Sequence, residues 1–386
     1  MLERIFHGSR RYWALLALWT ILILCGLAAY SRQFALGLSV TGMSRDVSWG
    51  LYIAQFTFMV GVAASAVMVV LPYYLHDYKA FARTVILGEF LAVSAVIVCM
   101  LFVFVDMGQP RRVMNVLLHP RPSSLMFWDF LALGGYLLIN LVIGAVTIEA
   151  ERKDVKPPGW VRPLIFLSIP WAVSIHTVTA FLYSGLGARP FWLTAILAPR
   201  FLSSAFAAGP SLLILLALLV RRYGGFDVGR PALQALFTIV TYAMTINVFF
   251  VLVEMFTALY GAVPHDVQPF AYLLTGLEGH SALTPWTWVG NILAVVCTTL
   301  MLIPAVRHRD RSLALLCVGI IVALWIEKGL ALVVTGFIPS PLGVITEYSP
   351  TAIEIAITVG VYAVGGFVLT TLYKVVLSVR ERMQSV

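Results

Sequence analysis

The sequence predicts an all-α polytopic membrane protein of about ten transmembrane helices. Three observations predict it. The 386 residues are 60% hydrophobic and only 11% charged, about half the charge of a soluble domain. Ten apolar runs are each long enough to cross a hydrocarbon core that takes about 20 helical residues. Their periodicity is helical, without the alternating strands of a barrel.

The runs fall near 13–30, 51–75, 84–106, 125–148, 164–186, 201–220, 235–261, 284–306, 313–336 and 352–378. The first reads as an uncleaved helix rather than a signal peptide, because RQFALGLSV follows it and not a small-residue cleavage site. Basic residues orient the chain. Of 26 Lys and Arg, 18 lie at the ends and in the even-numbered loops, from Arg4, Arg10 and Arg11 to Lys374, Arg380 and Arg382. Seven (Arg32, Arg45, Arg111, Arg112, Arg121, Arg189 and Arg200) lie on the other side. The bias predicts both termini in the cytoplasm and Asp106 at the outer face. The net charge of +8 is mostly this signal, so it gives no argument for nucleic acid. The four cysteines, Cys25, Cys99, Cys297 and Cys317, fall singly within apolar runs. They read as small buried hydrophobes, not metal or cluster ligands.

A repeat organises the chain. FVFVDM ends the third run and FVLVEM lies late in the seventh, so Asp106 corresponds to Glu254. His176 in the fifth run and Glu327 in the ninth each precede a glycine by nine residues and an alanine by four. The second and sixth runs share small-residue patches, AASA at 63–66 and AAGP at 207–210. Helices two to five and six to nine thus read as parallel copies of a four-helix unit. The expected divisions are 1–48, a first helix and outer loop; 49–187, the first bundle; 188–337, the second bundle; and 338–386, a last helix and tail.

Ionisable groups are costly in lipid and usually face an interior. Glu89 reads either as an interface acid or as the inner mouth of a proton path. Glu254, Glu327 and Lys328 read either as a Glu254–Lys328 bridge between helices or as a proton relay. His176 is the one histidine inside a run. It reads as a satisfied core residue or as a partner for a polar head group. Haem would need a second facing histidine, and no iron–sulfur or dinucleotide motif is present. No electron carrier is therefore expected in this chain. Trp49 suits an interfacial aromatic belt. Tyr52 and Gln55, three apart, share a helix face. The loop DMGQPRRVMNVLLHPRPSS carries Asp106, Arg111, Arg112, His119 and Arg121. It reads as helix-end capping, or as a docking site that folds back as a short helix and rims a polar ligand.

The stretches SWGLYIAQFTFMVGVAASA, VDMGQPRRVMNVLLHPRPSSLMFWD and SIHTVTAFLYSGLGARPFW resemble the polysulfide reductase/NrfD family of quinone-interacting membrane subunits. The resemblance covers helices two to nine. Ten helices and the run GMSRDVSWGLYIAQFTF look most similar to its DsrP-like branch, tied to dissimilatory sulfite reduction. The resemblance implies that menaquinone is bound as a substrate near the outer face of the first bundle. It implies a quinone site at Tyr52, Gln55, Asp106, Arg111, Arg112 and His176. A proton path would use Glu89, Glu254, Glu327 and Lys328. The implied partners are a periplasmic four-cluster iron–sulfur protein, a multihaem cytochrome c, a cytochrome b membrane subunit and a cytoplasmic iron–sulfur protein. Histidine and carboxylate can each serve a quinone oxygen as donor or acceptor. Two other classes stay open: a secondary transporter or proton-translocating module without redox chemistry, and a structural anchor whose polar groups pair among themselves.

Overall fold

The computed structural model describes residues 8–307 and 309–384. Arg4, His7 and His308 lie outside these residues, as do the side chains of Arg380 and Arg382. Among the described residues, ten helical segments are long and apolar enough to cross a membrane. The described chain is all-helical apart from turns, loops and one isolated bridge, Leu277 with His280. It is a multi-pass integral membrane protein.

The helices are α1 (Arg10–Leu36), α2 (Leu51–Ala63), α3 (Val67–Leu75), α4 (Val85–Asp106), α5 (Asn115–Leu118), α6 (Leu125–Arg152) and α7 (Val161–Ser184). Then follow α8 (Leu197–Gly224), α9 (Arg230–Gly261), α10 (Pro264–Leu274), α11 (Thr284–Leu302) and α12 (Asp310–Leu324). A π-helical turn, Trp325–Ala331, joins α12 to α13 (Leu332–Thr335), and α14 (Ala352–Gln384) ends the described chain. The spans match the apolar runs to within about two turns. The extra turns are polar ends that hydropathy ignores: Arg152 closes α6, and Arg221 and Arg222 close α8. The short α10, rich in proline and polar residues, is not legible as a helix from hydropathy.

All 13 residues of α2 are buried. It lies at the centre, packed against α4, α7, α8 and the π turn. Close approach there depends on small residues. A Cβ added at Gly209 would lie 2.9 Å from the Ser65 Cα and backbone N. The two small-residue patches therefore touch each other, and the chain between α2 and α3 is irregular where they meet. At the periphery α1 pairs with α14. Gly26 and Gly360 face each other so closely that a Cβ on either would come within 2.6–2.7 Å of the other's Cα. The Trp19 indole N–H donates to Thr370 Oγ1 across the same seam at 3.2 Å.

Thr351 and Glu354 form a capping box at the start of α14. Glu354 Oε2 accepts from the Thr351 backbone N–H at 2.8 Å, and the Glu354 N–H reaches Thr351 Oγ1 at 3.3 Å. The same carboxylate also accepts from the Gly42 N–H at 2.7 Å and the Tyr348 hydroxyl at 2.6 Å. One buried acid thus ties both loops to the last helix. Cys99, Cys297 and Cys317 are buried, as expected, but Cys25 is exposed on α1. With α14 as its principal neighbour, α1 leaves much of its surface free.

Candidate functional site

A cavity of about 430 Å³ opens where α2, α4, α6 and α7 end on the Asp106 side. The segment 113–116 lies over it, and Trp49, Phe56, Met100, Phe104, Met126 and Tyr183 give it an aromatic and thioether wall. Two carboxyl groups reach this apolar space, Asp106 and Asp129. Volume and lining fit a small-molecule site, about 300–1,000 Å³ with few polar groups.

Asp106 is the last residue of α4. Its Oδ1 is buried and has no hydrogen-bond partner among the described residues. Asp129, in the second turn of α6, is 5% exposed. Thr179 Oγ1 lies 2.7 Å from its Oδ1 and also 2.8 Å from the Ile175 carbonyl. A hydroxyl has one hydrogen for these two acceptors, so a proton held on Asp129 would complete the pair. Tyr183 shares a short hydrogen bond with Thr57, whose own hydrogen goes to the Ile53 carbonyl at 2.7 Å. Tyr183 is therefore the donor. His176, Thr179 and Tyr183 recur at helical spacing on the buried face of α7.

Trp49 stacks on Trp192 at 5.5 Å and meets Tyr183 edge-on at 5.4 Å, so it belongs to an internal aromatic cluster. Tyr52 lies on another face of α2, where it donates to Gln33 Oε1 at 2.7 Å. Gln33 Nε2 in turn donates to the Val105 carbonyl at 2.6 Å. This chain pins the end of α4 just before Asp106. Gln55 also turns away from the cavity: its Oε1 accepts from Trp325 Nε1 and the Tyr362 hydroxyl, each at 2.7 Å. Arg111 and Arg112 are exposed, and Arg111 stands over the Phe34 ring at 5.5 Å. Neither forms an ion pair with Asp106 among the described residues. His176 is fully buried, neither ring nitrogen is hydrogen-bonded among the described residues, and it does not line the cavity. The six residues expected to form one site are thus dispersed. Asp106 alone of them lines the cavity; Asp129 and Tyr183 line it too, and Thr179 contacts Asp129 without lining it. An acid one turn into a span, as in FWDF, is the available signal for Asp129.

A second polar centre lies between α8, α9 and the π turn. Arg200 binds Glu254 through Nη1 in a short ion pair, and Glu327 Oε1 through Nη2 at 2.8 Å and Nε at 3.1 Å. Asn247 Nδ2 donates to Glu327 Oε2 at 2.9 Å. The expected Glu254–Lys328 bridge is absent. Lys328 points instead at Phe201, 3.2 Å from its carbonyl and 4.3 Å from its ring centroid. Arg200, expected in an outer loop, is carried inward because α8 begins at Leu197. Arg200 and Lys328 balance the two glutamates, so the cluster is formally neutral. Glu89, 2% exposed, does not snorkel to the surface, and its Oε2 lacks a hydrogen-bond partner among the described residues.

By architecture the protein is a multi-pass membrane protein with a carboxylate-bearing cavity at one end of its helices. The chain belongs to the NrfD family: the family described as "Polysulphide reductase, NrfD" matches residues 39–339. It is similar to a membrane protein of Halobacterium salinarum named as a putative dimethyl sulfoxide reductase membrane subunit, 28% identical over 90% of this chain and 87% of that one. It is also similar to a selenate reductase subunit of Mesobacillus selenatarsenatis, 23% identical over 89% of each chain. A third relative is the Hdr-like menaquinol oxidoreductase integral membrane subunit of Archaeoglobus fulgidus, 24% identical over 70% of this chain and 67% of that one. Each is named as one subunit of a reductase or oxidoreductase. None of these three carries the sulfite-linked name of the DsrP-like branch.

Proposed function

We propose that this protein is the quinone-reactive membrane subunit of a multisubunit oxidoreductase, exchanging electrons between menaquinol or menaquinone and an iron–sulfur partner at the outer face. The observation that carries the reading is Asp106 Oδ1, buried and unpartnered at an apolar cavity that Asp129 also reaches. A hydroquinone releases two protons and two electrons on oxidation. Asp106 and Asp129 accept the protons as general bases, and they return them when the reaction runs towards the hydroquinone. Trp49, Phe104 and the methionines exclude water around the ring. Electrons leave to a centre on the partner, which docks over the Arg111–Arg112 loop.

The narrower version places the chain in the DsrP-like, sulfur-metabolising branch. Its partners are then a periplasmic four-cluster iron–sulfur protein, a multihaem cytochrome c, a cytochrome b membrane protein and a cytoplasmic iron–sulfur protein. The run GMSRDVSWGLYIAQFTF supports it, and co-purification of those proteins tests it. Glu89, whose Oε2 is unpartnered, favours added proton conduction towards Glu254, Glu327 and Lys328. Turnover in liposomes without proton movement beyond the quinone chemistry would end that part.

The deciding experiment is Asp106→Asn in the assembled complex, alongside Asp129→Asn. Asp106→Asn is expected to slow quinone-linked turnover about 100-fold or more, with assembly of the complex intact. Unchanged turnover in both variants would remove the site. The alternative, a secondary transporter, predicts substrate uptake into liposomes by the isolated chain.

A further inference from the structure

A larger cavity, about 870 Å³, lies against the opposite face of α2. It shares no lining residue with the first: Ile53 and Phe56 face one, Gln55 and Met59 the other. The remaining walls come from α4, α8, α11, α12, the π turn, α13 and α14, with the loops that precede α11 and α14. Its exposed lining residues include Trp286 of α11 and Ile355 and Val359 of α14, so the cavity opens between those helices through apolar lips.

The polar groups inside are few, and most are occupied. Ser94 Oγ donates to the Gly365 carbonyl at 2.7 Å. The Tyr348 hydroxyl donates to Glu354. Trp325 Nε1 and the Tyr362 hydroxyl converge on Gln55 Oε1. An indole N–H only donates, so the amide oxygen must be the atom on that side. Gln55 Nε2, the other arm of the amide, keeps two hydrogens to give. It is buried, in a residue 1% exposed, with no partner among the described residues. Thr358 Oγ1, one helical turn before Tyr362, is also buried and unpartnered. Leaving such groups unpaired costs about 1–3 kcal/mol each. Two donors and a long apolar wall call for an acceptor carried on a hydrocarbon chain.

We propose that this cavity binds a long-chain amphiphile, with its carbonyl oxygen held by Gln55 Nε2 and Thr358 Oγ1 and its chain along α14. The site is separate from the proposed quinone cavity and does not rest on that reading. An ester phospholipid and an isoprenoid quinone both present the required carbonyl.

Photoaffinity labelling of the purified, fully assembled complex tests the proposal with three probes. These are a diazirine-tailed diacyl phosphatidylglycerol, its dialkyl-ether counterpart without carbonyls, and a diazirine-tailed menaquinone analogue. Labels are mapped to peptides of α2, α4 and α14, with the lipid-exposed face of α1 as background. A carbonyl-bearing probe is expected to label the cavity well above background, and whichever does so identifies the source. Thr358→Val removes no hydrogen bond among the described residues and is expected to cut that labelling about three- to tenfold. Gln55→Leu is expected to do the same where it still assembles. Labelling at the background level, equal labelling by the ether probe, or labelling unchanged in Thr358→Val would each overturn the assignment.

Discussion

Arg200 and Glu327, 127 residues apart in sequence, meet through Nη2 and Oε1 at 2.8 Å inside the membrane span. The same guanidinium holds Glu254. Removing one member of a buried ion cluster leaves an uncompensated charge and costs about 3–5 kcal/mol. Arg200→Leu is therefore expected to lower the thermal unfolding midpoint in detergent sharply. Arg200→Leu combined with Glu254→Gln and Glu327→Gln is expected to recover part of the loss. A single variant as stable as the parent would show that the cluster is not a structural tie.

Glu354 gives a second prediction. Glu354→Ala removes a capping box and the anchors of Gly42 and Tyr348. A loss of about 2–3 kcal/mol is expected, read as a lower unfolding midpoint. Thr351→Ala, which removes only the cap, is expected to cost about 1 kcal/mol. Equal effects of the two would mean that the loop anchors contribute nothing.

Gly209 is the third. A Cβ there meets Ser65 backbone at 2.9 Å, and backbone cannot step aside. Gly209→Val is expected to prevent a monodisperse protein in size-exclusion chromatography. Gly134→Ala, where nothing lies within 4 Å, is the control and is expected to behave as the parent.

Glu347 lies in the loop before α14, outside the spans. Burial pushes its carboxyl pKa up. The Ala282 N–H, His280 and the Tyr272 hydroxyl outweigh burial and hold it below its ordinary value of 4.5. A carboxyl lowered in the folded state adds stability above its unfolded pKa and loses it as pH falls through the folded one. The stability gap between the parent and Glu347→Gln is thus expected to be full near neutrality and to close in acid below about pH 4.5. A gap that is constant down to pH 3 would contradict this.

The ten spans are legible in the sequence because hydrophobicity and length are local properties. Asp106 is legible for the same reason, as a charge at the end of an apolar run. The grouping of the site is not. Helical spacing puts Tyr52 and Gln55 on one face of α2, but no local property says which neighbours that face meets. Gln55 finds Trp325 and Tyr362, 270 and 307 residues away. Arg200 escapes a hydropathy reading because that reading starts a helix at its first apolar stretch, whereas α8 starts a turn earlier. The small-residue patches are legible as repeat markers. That they touch each other is a tertiary fact.

The π turn at Trp325–Ala331 takes in one more residue than the α-helix around it. Each residue of an α-helix rotates the chain by about 100°. Deleting a single residue there would leave both flanking loops intact yet swing one half of the span against the other. Trp325 would then lose Gln55, or Glu327 would lose Arg200, since one helix could no longer address both neighbours. The irregular turn acts as a phase adjuster, letting a single span keep two appointments that a regular helix would miss.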